Sequence, residues 1–182
     1  MTNKTKMVYE LIQEKTTSNE VMQGLSSVLG FPFTLVVDAG VIFTHYGPLL
    51  NNVRKIYGRA PMSSEVIGPI LNACKSEVLS DLIVDKLIGQ IPMLGIAANI
   101  MCAKTMTWRL GLLFAMLASR GEDISEANAM NCVRLIRELF PQTNMLKFKT
   151  PSLTVVEKLL DAVENNTEED FDSKVVRILD AL

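Results

Sequence analysis

Two side chains in this sequence have types and spacing that suggest acid–base chemistry. Asp38 sits inside the apolar run FTLVVDAGVIF, and His45, the single histidine, follows seven residues later. On an unbroken helix that spacing is about two turns, so a carboxylate and an imidazole would share one side. Neither a nucleophile nor an oxyanion donor set accompanies them, and no residue is assigned a catalytic role. A carboxylate in such a run must be paired, hydrogen-bonded, protonated or open to a cavity, because burying it alone costs on the order of several kcal/mol. The preferred reading of Asp38 is a structural hydrogen bond, with Thr107 or Lys104 as partner. A functional role for Asp38 and His45 is left open.

The remaining chemistry-bearing residues point away from a cofactor. Cys74, Cys102 and Cys132 are widely separated in apolar surroundings, and no CxxC or Cys/His ligand spacing occurs, so no metal site is expected and the cysteines read as small core residues. Gly95 and Gly111 belong to neither GxxxxGK[ST] nor GxGxxG, which excludes a P-loop in this chain and leaves no cofactor site. Trp108, beside Arg109, has the chemistry to stack on a ring or cation, but a core tryptophan is the favoured reading.

The elements that would position these residues all read as helices. Met7, Val8, Leu11 and Ile12 recur at helical spacing, and Thr17 to Glu20 (TSNE) has the pattern of a capping box, so one short helix is expected before Thr17 and a second from there to about Gly30. The segment 30–58 is bracketed by Gly30 and Gly58, with a kink or break expected near Tyr46 because Gly47-Pro48 removes a backbone donor. A further helix starts at Ser63 or Ser64 and carries the stripe Ile67, Ile70, Leu71, Cys74, Val78 and Leu82. Gly89 and Pro92 then precede a helix over about Met93–Ser119, apolar nearly all round and capped by Gly121. Three more follow: one begun by DISE at 123–126 and stopped by Pro141, one begun by KTPSL with Pro151 in its first turn, and one begun by NTEED at 166–170. β-Alternation is absent from the sequence. The predicted class is all-α: a single bundle of about six to eight helices, with a central apolar hairpin over 79–119 and C-terminal helices packed on it. Residues 1–140 form the helical core domain and 141–182 a C-terminal helical extension.

Hydrophobic residues make up 48% of the 182 and charged ones 21%, and the mean hydropathy is +0.24, so the hairpin must be sheltered by something. Its longest uncharged run, between Lys86 and Lys104, is 17 residues and contains Gln90, Pro92 and Asn99. A spanning helix needs about 20 mainly apolar residues, so a core position is favoured over membrane insertion. A peripheral role, in which the hairpin exposes its apolar face to lipid, remains as an alternative. The net charge of −2 gives no reason to expect nucleic acid. Residues 121–182 carry 12 acids against 7 bases, read as a solvated face. The cysteine usage fits a reducing cytoplasm, and MTNKTKMVYELIQEK is too polar for a secretory signal.

Two stretches together resemble a known family. FPFTLVVDAGVIFTHYGPLLNNVRKIYG contains Pro32, Asp38, Tyr57 and Gly58 at the spacing of the first signature of the bacterial YcjF-like helical domain. IPMLGIAANIMCAKTMTWRLG is similar to its second signature, through Pro92, Gly95, Asn99, Thr107, Trp108 and Gly111. The likeness covers about residues 20–120. One departure is Tyr46-Gly47-Pro48, where the family has a Gln and a continuing helix. The family is found fused behind, or encoded beside, Era-like P-loop GTPases, and some members carry membrane helices ahead of the domain. The resemblance therefore implies a non-enzymatic helical protein-binding module, a partner of a separate GTPase in the cytoplasm or at the inner face of the membrane. In it Asp38, Asn99, Thr107 and Trp108 would knit the two signature helices together. A membrane-inserting, pore-forming protein and a carrier of a small apolar ligand or lipid are the alternatives, and the oligomeric state is left open.

Overall fold

A computed structural model describes residues 3–28, 39–66, 68, 94–121 and 149–164. Among these residues the chain is helical and contains no strand. Four long helices are seen: α1 (Asn3–Val28), α2 (Ala39–Ile56), α3 (Leu94–Arg120) and α4 (Leu153–Glu164).

α3 is the hub, in contact with α1, α2 and α4. Its described side chains from Thr107 through Ala118 are all buried, on every face of the helix. A helix can be apolar nearly all round, as this stretch is apart from the buried Thr107 and Arg109, only if neighbours surround it, so this pattern is the physical cause of the bundle. Its limits fall within a residue of those expected from the sequence, and Gly121 ends it at φ 69°, the left-handed conformation that glycine adopts without Cβ strain.

α1 is the most extensive neighbour of α3. It places Thr5, Val8, Ile12 and Thr16 inward at a spacing of three or four residues, while Met7 is 45% exposed. The expected break at Thr17 is absent, and one helix runs from Asn3 to Val28. The Thr17 hydroxyl donates to the Gln13 carbonyl at 3.1 Å, and that of Thr16 to the Ile12 carbonyl at 2.7 Å. Each hydroxyl thus bonds back one turn instead of capping forward, and no glycine or proline between them interrupts the helix.

α2 also runs unbroken through the position where a break was expected, with Pro48 inside it and exposed. Its inward stripe is Tyr46, Leu49, Leu50 and Val53. Pro48 removes one backbone hydrogen bond from the helix, and the buried stripe holds the helix together across that turn. α2 runs antiparallel to α1: the Lys4 ammonium lies 5.7 Å from the Tyr57 ring centroid, and that of Lys15 5.9 Å from the Tyr46 ring. Helical backbone resumes at Ser64, as expected.

α4 buries Val156, Leu159, Leu160 and Val163 against α1 and α3. Its cap is Ser152, whose hydroxyl accepts from the Val155 N–H at 3.3 Å and whose carbonyl accepts from Val156 at 3.1 Å. Pro151 therefore lies just before the helix and not in its first turn. Buried there, its carbonyl accepts the Tyr9 hydroxyl at 3.2 Å, which ties the start of α4 to α1.

Candidate functional site

The described candidate residues fall into two groups, one inside the bundle and one at the end of α2. Inside, Thr107 and Trp108 are fully buried neighbours on α3 that face different helices. The Thr107 hydroxyl lies 3.4 Å from the Tyr46 hydroxyl of α2, a buried polar link between the two stretches that carry the family resemblance. Trp108 packs on Tyr9 of α1, with ring centroids 5.3 Å apart and planes tilted by 58°, a favourable aromatic geometry. Its indole N–H is buried with no acceptor among the described residues, where packing on Tyr9 is what holds the ring.

Gly111 explains itself by proximity. A Cβ there would lie 2.6 Å from Cγ1 and 2.8 Å from Cδ1 of Ile12, which is itself fully buried. The glycine is what allows α1 to approach α3 so closely. Nothing in the sequence near Gly111 reveals this, because the partner stands 99 residues earlier.

Tyr57 and Gly58 form the end of α2. Gly58 has φ 72°, its N–H bonds to the Lys55 carbonyl at 3.0 Å, and the Arg59 N–H bonds to the Arg54 carbonyl at 2.9 Å. This pair of reverse bonds is a Schellman cap. The chain beyond it is fastened by two residues that the sequence reading did not single out. The Asn51 carboxamide accepts from the Met62 N–H at 2.9 Å and donates to the Met62 carbonyl at 3.4 Å, and the Arg54 Nε–H donates to the Ala60 carbonyl. An asparagine and an arginine on the last turns before a Gly-containing stop are the available sequence signal for such a clamp. Burial, together with the carboxylates of Glu164 and Asp161 on α4, pushes the Tyr57 hydroxyl up to about 12.

Gly95 lies in the first turn of α3 and Asn99 in its second, with the Asn99 side chain outside the described set. Asp38 and Pro92 lie outside the described residues, as does the His45 side chain, so the Asp38 to Thr107 or Lys104 bond and the Asp38–His45 pair are not part of this geometry. The same holds for the first limb of the expected hairpin and for the helices begun at DISE and NTEED. Among the described residues no group of three or more His, Cys, Asp or Glu side chains is placed to hold a metal, and no helix is long and apolar enough to cross a membrane.

On the outer side of the α1/α2 pair runs an open groove of about 580 Å³. Met7 and Leu11 with Ile56 give it an apolar floor, Glu10 and Glu14 line the α1 wall, and Asn52 and Lys55 the α2 wall. Glu10 also pairs with Lys6 one turn away at 3.7 Å, both side chains being exposed. What these sites offer is packing, helix capping and a surface concavity. No family model, curated protein or solved structure matches the chain.

Proposed function

We propose that this chain is a non-enzymatic helical module that binds another protein, and that the partner is a P-loop GTPase. The observation that supports the reading is the division of its apolar surface. The α3 side chains from Thr107 through Ala118 are buried in a helix that α1, α2 and α4 contact, whereas the α1/α2 face turns Met7, Leu11 and Ile56 outward between charged walls. An apolar floor with a charged rim is the composition of a protein-docking surface. The GTPase as partner comes from the YcjF-like resemblance.

In this reading α3 is the second limb of a central hairpin within a bundle of six to eight helices. The protein works in the cytoplasm, with its contact to the inner membrane peripheral and secondary. Affinity capture with the full chain from cells that express it naturally is the test. Selective recovery of a P-loop GTPase, reproduced with the purified pair, supports the proposal. A purified chain that instead floats with liposomes and releases entrapped dye contradicts it, as does one that retains a lipid in native mass spectrometry.

A further inference from the structure

The C-terminal ends of α2 and α3 meet at one end of the bundle. The two helices run side by side in the same direction: the Tyr46 hydroxyl lies 3.4 Å from that of Thr107, and farther along Arg59, just past α2, reaches Gly121, just past α3. The Arg59 guanidinium occupies the space that a side chain on Gly121 would fill, with Cζ 3.0 Å and Nη1 3.5 Å from the position of a Cβ there. Gly121 therefore serves twice, as left-handed backbone at φ 69° and as the seat of an arginine from another helix. A cation suits that seat. The last carbonyls of a helix have no intrahelical donor, and the aligned peptide dipoles leave its C-terminus negative.

What holds Arg59 in place comes from α2. The Arg59 N–H bonds to the Arg54 carbonyl at 2.9 Å, the Ala60 carbonyl accepts the Arg54 Nε–H, and the Asn51 carboxamide takes both the N–H and the carbonyl of Met62. Residues 59–62 thus form a strap, fastened along its length to the last turns of α2 and laid by its first side chain against the end of α3. Asn51 and Arg54 share those turns with Asn52, Lys55 and Ile56 of the groove wall.

We propose that the strap couples the two helix ends, so that the last turns of α2 and the last turn of α3 open and close as one unit. Arg59 carries the coupling through Gly121, and Asn51 positions the strap that carries Arg59. On the docking reading above, a protein that steadies the groove wall steadies the end of α3 as well. The coupling itself needs no partner.

Amide hydrogen exchange of the full chain alone tests this with Arg59→Met and Asn51→Ala, singly and together. Methionine keeps an apolar stem and removes the charge. Alanine at position 51 releases Met62, yet it favours helix more than asparagine does, so it does not weaken α2 by itself. Circular dichroism reports whether each variant keeps its helices. Each single variant should speed exchange of the Leu117–Arg120 amides by roughly two- to fivefold, the scale of a cation lost from a helix end. The double variant should exceed the larger single effect by little, because both changes act through one strap. The Val155 and Val156 amides, at the start of α4, should keep their rates. Asn51→Ala that speeds exchange only within residues 58–63 and leaves the end of α3 unchanged overturns the proposal. So does a double variant whose factor is the product of the single ones, or a rise that extends equally to α4. None of these rates depends on whether the groove binds a protein, so the docking reading can fail while the coupling stands.

Discussion

Gly111 and Ile12 make a direct contact between α1 and α3, and their substitution energies are coupled through it. Gly111→Ala gains roughly 1 kcal/mol of helix propensity but drives a methyl into Ile12, and overpacking of this kind costs about 1–3 kcal/mol. The expected net effect by chemical denaturation is destabilisation of up to about 2 kcal/mol. In an Ile12→Ala background the obstructing atoms are gone, and the same Gly111→Ala change should become stabilising. A cycle in which the two effects simply add contradicts the contact. Tyr57 makes a different demand. Its pKa is raised, so the folded state favours the neutral phenol. The stability it contributes is complete below the ordinary tyrosine value near 10 and is lost as pH rises through about 12. Thermal unfolding followed from neutral to strongly alkaline pH should therefore show a fall in Tm across that window, and the fall should be smaller in Tyr57→Phe.

At the scale of the helices, Thr17 distinguishes the observed α1 from the broken one that its local pattern suggests. If Thr17 capped a new helix, Thr17→Ala would cost about 1 kcal/mol. In the middle of a continuous helix the exposed hydroxyl only bonds back to Gln13, and replacement by alanine should stabilise by a few tenths of a kcal/mol, on the order of the propensity difference. Denaturation midpoints of the two proteins decide the sign. The same helix shows why sequence legibility has limits. A capping box is a four-residue pattern, and four residues do not encode whether the preceding turn ends. Pro48 is the parallel case in α2, since the proline is written in the sequence but the buried stripe Tyr46, Leu49, Leu50 and Val53 that keeps the helix intact acts through tertiary contact. Where the end of an element is decided locally, it was legible: Gly58 and Gly121 stop their helices in the left-handed conformation that their residue type allows.

Across the whole molecule, burial was easier to read than pairing. A helix apolar on nearly all sides announces that it is central, and Trp108 within it is buried as its surroundings suggest. Its partner Tyr9, the Tyr46 hydroxyl beside Thr107, and the approach of Ile12 to Gly111 depend on how helices far apart in sequence meet, and no local pattern contains that information. The candidate site was legible only in part for the same reason. The glycines, the tryptophan and the threonine were identifiable as unusual, but what they touch came from the fold. The groove on α1 and α2 was not foreseen at all, because the stripe Met7, Val8, Leu11 and Ile12 reads as a single apolar face. In the bundle it divides into an inner pair, Val8 and Ile12, and an outer pair, Met7 and Leu11, on the floor of the groove.

The central claim is that α3 is sheltered by its own chain in water, and Trp108, the single tryptophan, sits at its middle. Acrylamide quenching of Trp108 emission in the purified, lipid-free protein tests this directly. A blue-shifted emission with a quenching slope several-fold below that of the urea-unfolded chain is the expected result. A slope equal to that of the unfolded chain, falling only when liposomes are added, would show that α3 finds its shelter in lipid.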